Sequence, residues 1–182
     1  MKYIPIFILI IAILLFFRCQ YKVTKTLDDM NPELLKKEII NNGRKSSYDL
    51  LSMYYDDKKM DEDFLDISIL MYERYNYTKA LSNIYFAYIY KYNPDIPFYS
   101  GDKAKLFKNV PEKEQEIALS YLKIGSSKED YACIESLSDY YLSINKEEES
   151  KKILQRLDDL IVEHRRKVND SISQGEKSKN KK

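Results

Sequence analysis

One histidine, His164, and two cysteines, Cys19 and Cys133, are all the imidazole and thiol chemistry this chain carries. One His and two widely separated Cys do not make a common zinc site, and no Gly-rich phosphate loop or nucleophile elbow accompanies them. The densest group of carboxylates is Asp56, Asp57, Asp61, Glu62 and Asp63. Lys58 and Lys59 interrupt it and the glycine of a calcium loop is missing, so it reads as a solvated turn. His164 shares a helical row with Leu157, Leu160, Ile161 and Val168, which suits packing at a helix edge better than proton transfer. Cys133 reads as a small buried hydrophobe. No catalytic residue, metal or cofactor is assigned.

What positions these residues is a helical chain. Gly and Pro are few, Leu, Ile, Lys and Glu are abundant, and 17 Tyr with 7 Phe and no Trp carry the aromatic packing. The fold class is all-α. A formal net charge of +1 supplies no field toward nucleic acid, and no nucleic-acid partner is expected.

The chain opens with Lys2 and an apolar run from Tyr3 to Phe17, closed by Arg18 and Cys19. As a helix that run spans about 22 Å against a hydrocarbon core of about 30 Å. Phe16-Phe17-Arg18 lacks the small residues that a signal peptidase needs, which favours retention as a signal-like anchor over residues 1–19. Lipidation of Cys19 after cleavage is the rival reading. Membrane contact is assigned to residues 3–17, with the domain facing the extracytoplasmic, periplasmic side. Residues 20–30 form a spacer.

Helix signals then follow in order over residues 31–170. Asn31-Pro32-Glu33 starts a helix that Gly43 ends. Leu50, Leu51, Tyr54 and Tyr55 mark a second, and Phe64, Ile67, Met71 and Tyr75 a third. Asn76 is placed as cap of a fourth, about Tyr77 to Tyr92, whose apolar residues occupy more than one side and predict a sandwiched helix. A long connection from Asn93 to Val110 is of a length often functional or mobile. Pro111 begins another helix. Ser127 with Asp130 resembles a capping box before the next, and Asn145 with Glu148 caps the last. Residues 171–182 are basic and read as a disordered, solubilising tail.

Three helices share the pattern Leu-Ser-x-x-Tyr, at Leu51 to Tyr55, Leu81 to Tyr85 and Leu137 to Tyr141. Leu and Tyr one turn apart on a buried face, with Ser admitting a close neighbour, is what a repeated helical hairpin requires. Over residues 46–160 the chain resembles the tetratricopeptide superfamily, and within it the Sel-like repeats. Ala118, Tyr121-Leu122-Lys123 and Gly125 resemble the end of one repeat, and Cys133, Leu137 and Tyr141 the start of the next. The family's glycines and alanines are mostly replaced here by Ser or polar residues.

The resemblance implies a right-handed stack of antiparallel helical hairpins behind the apolar anchor helix. It implies a non-catalytic scaffold for a protein partner held at a membrane. Tyr54, Tyr88 and Tyr90, with Phe98 and Tyr99 in the long connection, are the candidate partner-binding residues. An immunity or inhibitor role at the envelope, and an envelope enzyme with a cleft at the 93–110 connection, are the alternatives.

Overall fold

The computed structural model describes residues 30–57, 62–96 and 102–179. Among them all regular structure is helical: α1 (Pro32–Asn42), α2 (Lys45–Asp57), α3 (Glu62–Glu73), α4 (Ala80–Tyr92), α5 (Lys103–Phe107), α6 (Glu112–Ser127), α7 (Tyr131–Ser143) and α8 (Glu147–Lys179). None of these helices is long and apolar enough to cross a membrane. The expected anchor over residues 3–17 lies outside the described residues.

Local chemistry sets the first helix. The Asn31 side chain accepts from the Leu34 N–H at 3.2 Å and Pro32 occupies the first turn. Gly43, at φ 60°, returns its N–H to the Ile39 carbonyl at 2.8 Å. Helices α1 and α2 are then clipped together: Glu38 accepts from the Ser47 hydroxyl, and from Arg44 Nη1 at 3.3 Å. Leu35, Ile39, Tyr48 and Leu51 are buried here. The chain divides into two compact units between Tyr54 and Tyr55.

In the second unit each long helix packs on the next. Helix α3 lies on α4, α4 on α6, α6 on α7 and α7 on α8, while α5 is wedged against α4 and α7. Phe64, Met71, Leu81, Ile84, Phe107, Leu122 and Ile134 are fully buried in this unit. Helix α4 is buried on several sides, from Ala80 and Leu81 round to Tyr88 and Tyr90, as a sandwiched helix must be.

Three of the turns are closed by a left-handed residue. Asn76, Glu129 and Asn145 are left-handed, with φ of 48°, 64° and 59°. After Glu129 and Asn145 the next residue donates its N–H five residues back, Asp130 to Gly125 O at 3.0 Å and Lys146 to Tyr141 O at 2.8 Å, whereas Tyr77, after Asn76, reaches six back to Met71 O at 2.9 Å. With Glu129 N–H to Ser126 O at 3.2 Å and Asn145 N–H to Leu142 O at 3.1 Å, the latter two are Schellman closures of a helix C-terminus, while the Asn76 N–H returns to Tyr72 O at 2.9 Å in a looser left-handed closure.

Several cap assignments therefore change. Asn76 and Asn145 end the preceding helix rather than cap the following one, because Asn serves both roles and only the backbone decides between them. The capping box at Ser127 is absent: the Ser127 hydroxyl donates to Ile124 O at 2.7 Å within α6, and Asp130 is the cap of α7, accepting from the Cys133 N–H at 3.0 Å.

The Leu-Ser-x-x-Tyr positions are largely interior. Leu51, Tyr55, Leu81, Tyr85, Leu137 and Ser138 are buried. Ser138 lies 2.7 Å from Ser150, the close approach of α7 and α8 that a small polar residue permits. Helix α8 continues to Lys179, so it takes in residues 171–179, which composition assigns to a disordered tail. The composition rule weighs the apolar burial available to a segment, whereas a helix grown from a packed base adds residues without a new nucleus.

Candidate functional site: a tyrosine and carboxylate face on α3, α4 and α6

Successive residues of a helix are turned by about 100°, so Tyr88 and Tyr90 leave α4 on opposite sides. The two candidate tyrosines accordingly have separate surroundings. Tyr88 meets the fields of Glu114 and Asp66, and burial followed by these two carboxylates raises its hydroxyl above the ordinary tyrosine range. Tyr90 lies under the Lys103 ammonium, 5.2 Å from its ring centroid. Burial and then Asp56 push its hydroxyl up to about 12. Tyr54 is half-buried in the first unit. Phe98, Tyr99 and Cys19 lie outside the described residues.

The Tyr88 side is the richer. One turn further along α4, Tyr92 is hydrogen-bonded to Glu114 of α6, which raises its hydroxyl. Lys91 bridges the same carboxylate at 3.8 Å, with its ammonium 5.6 Å from the Tyr92 ring centroid. The other oxygen, Glu114 Oε2, is buried without a hydrogen-bond partner among the described residues. From α6 the Tyr121 hydroxyl donates to Glu73 Oε1 at 2.7 Å, and its ring stands edge-on to Tyr72 at 6.0 Å. Burial, then the Glu73 bond, hold the Tyr121 hydroxyl up at about 12.

Three helices thus contribute aromatic rings with acidic neighbours to one region. Tyrosine supplies rigid contact area with a polar tip, and the exposed Glu73 carboxylate can accept further donors. Sequence reasoning singled out Tyr88 here and missed Tyr92, Tyr121, Glu73 and Glu114. The four-residue spacing from Tyr88 to Tyr92 was a usable signal. The Tyr121 to Glu73 bond, 48 residues apart, had none.

The long connection is tied down where it is described. Asn93 Nδ2 donates to Ile89 O at 2.7 Å and Leu106 O at 3.2 Å, and Asn109 Nδ2 donates to Asn93 Oδ1 at 2.7 Å. Phe107 is fully buried between Tyr85 and Tyr140, at centroid distances of 4.8 Å and 5.8 Å. Asp102 caps α5 through the Lys105 N–H at 3.1 Å. Its charge and that of Asp139 both act on Tyr85, whose hydroxyl burial and these carboxylates push up. Asp139 is itself raised, by burial first and then by Glu135 and Asp102.

The remaining chemistry-bearing residues stand apart. His164 is exposed, beyond the half-buried part of its row, and not at the packed helix edge that its neighbours implied. Cys133 is fully buried, and its thiol is pushed up by burial and by Asp130. No group of three or more His, Cys, Asp or Glu among the described residues can hold a metal ion. No protein-family model, curated protein or solved structure matches this chain.

Proposed function

We propose that this chain is a non-catalytic scaffold of degenerate tetratricopeptide-like, Sel-like hairpins, held at a membrane by residues 3–17, that presents α3, α4 and α6 to a protein partner. The observation that carries the reading is the gathering of Tyr88, Tyr92 and Tyr121 with Glu73 and Glu114 on these three helices. The packing of each long helix of the second unit on the next supports hairpins that stack, and the right hand of that stack is what the resemblance implies. The domain is placed on the extracytoplasmic side, behind the anchor and the spacer. An inhibitor or immunity role uses the same face with a toxin as the partner.

The test is affinity capture from membranes by the full-length protein and by a Tyr92→Ala, Glu114→Gln variant, with mass spectrometry of the partner and of the N-terminal peptide. A partner held by the parent and lost by the variant supports the reading. No stable partner, or one held equally by both, refutes it. Recovery of the Met1 peptide supports the retained anchor, and a lipidated Cys19 terminus replaces it with the lipoprotein. Protease added to intact spheroplasts digests the domain if it faces outward.

A second reading has its own observation. The charges of Asp102 and Asp139 both act on Tyr85, and Asp139, raised by burial, then by Glu135 and Asp102, is suited to hold a proton. That pair would serve an envelope hydrolase at the 93–110 connection. An activity lost in Asp139→Asn with the fold intact would favour this reading over the scaffold.

A further inference from the structure

Helix α8 is 33 residues long, and α7, on which it packs, has 13. Ser150, Ile153, Leu157, Leu160 and Ile161 follow one side of α8 and are buried or half-buried. The same stripe runs on through His164, Val168 and Ile172, where every residue from Val162 to Ile172 is exposed. Leu154, Val168 and Ile172 are 39%, 44% and 56% exposed. An apolar seam that begins as an established packing surface therefore continues, uncovered, past the helix that uses it.

The charges flanking the seam choose among occupants. Asp158 and Arg165 both lie beside it on the same flank, one turn either side of Ile161 and Val162. When a second α8 runs antiparallel, Leu157 of one copy faces Val168 of the other and Ile161 faces His164. In that register Asp158 of each copy meets Arg165 of the other, twice by symmetry. When the second helix runs parallel, Asp158 falls opposite Asp158, Arg165 opposite Arg165 and His164 opposite His164, and no attractive pair flanks the seam. Symmetric pairs favour a two-fold dimer, the commonest closed assembly of identical chains.

We infer that the seam of α8 is the interface between two copies of this chain, paired antiparallel through Leu154, Leu157, Ile161, Val168 and Ile172 and registered by Asp158 with Arg165. The half-buried residues of the first turns stay on α7 and share their outer edges with the second copy. This goes beyond the partner face on α3, α4 and α6, which involves no residue of α8.

The test is sedimentation velocity of the full-length chain in a non-ionic detergent over a range of concentrations. The parent, Asp158→Arg, Arg165→Asp, the double swap and Val168→Glu are compared, with circular dichroism to verify helicity. All the altered side chains are exposed, so the fold is retained. A dimer weakened about tenfold or more in each single swap, restored in the double swap and abolished by Val168→Glu supports the inference. A monomeric parent overturns it, as does a dimer indifferent to Val168→Glu or a double swap that fails to restore pairing.

Discussion

Gly125 of α6 lies directly against Cys133 of α7: a Cβ placed on Gly125 would overlap Cys133 Sγ and stand 2.7 Å from its Cβ. It would also stand 3.3 Å from Leu81 Cβ of α4. Three helices of the second unit converge at this point, and only a residue without a side chain lets them. Gly125→Ala should destabilise by about 1–3 kcal/mol, the usual cost of overpacking a filled interior. Urea unfolding measures it, and an unchanged midpoint would mean that the helices have room to part.

Cys133 provides a companion expectation. Its thiol is fully buried and its ionisation is disfavoured by burial and by Asp130. Since the thiolate is the reactive species, an alkylating reagent should modify Cys133 only in denaturant. Peptide mapping of the labelled protein separates it from Cys19. Rapid native labelling of Cys133 would contradict the packing.

The left-handed turns make opposite demands at one position. Asn76, at φ 48°, tolerates this conformation better than a residue with an ordinary side chain. Asn76→Gly should be neutral or slightly stabilising, and Asn76→Val should cost roughly 1–2 kcal/mol or more. Equal stabilities would show that residue 76 is an N-cap after all.

Phe107 anchors the described end of the long connection between Tyr85 and Tyr140. Phe107→Ala should cost about 3–5 kcal/mol, the range for a buried aromatic ring. The loss should appear as faster hydrogen exchange over α5 before the rest of the unit. Undiminished protection of α5 would mean that its hydrogen bonds, not its ring, hold it.

Tyr121 gives a pH signature. Its folded hydroxyl is raised to about 12 by burial and by the Glu73 bond, above the ordinary value of 10.0. The folded state therefore holds this proton more tightly than the unfolded chain does. The resulting stabilisation is fully present below pH 10 and is lost as pH rises toward 12. Stability measured against Tyr121→Phe should show the parent losing its advantage in that window. Parallel curves for the two proteins would remove the Tyr121–Glu73 bond from the account.

How much of this was legible in the sequence follows the range of the interactions. Asn31, Pro32 and Gly43 were readable because cap, first turn and stop are each settled within a few residues. Asn76 and Asn145 were misread because the same side chain suits both ends of a helix, and the choice rests on a backbone angle. The sandwiched α4 was visible in its multi-sided apolar pattern, but its two tyrosines were grouped by kind when their spacing puts them on opposite sides. Tyr121 with Glu73 was hidden because the partners meet only after α3 and α6 have docked. The continuation of α8 past residue 170 was missed because a polar composition was weighed as a free segment. Attached to a packed base, it gains support from pairs such as Lys167 with Glu163, at 2.7 Å.

The half-buried Tyr92 and Glu114, over the buried Tyr88, form the proposed partner-binding face. It is tested most directly by quantifying the protein captured from membranes on the parent and on the Tyr92→Ala, Glu114→Gln variant at matched expression and helicity. One stoichiometric partner is expected on the parent, and its loss, by about tenfold or more, on the variant. Equal recovery on both proteins, or no stoichiometric partner on either, would contradict it.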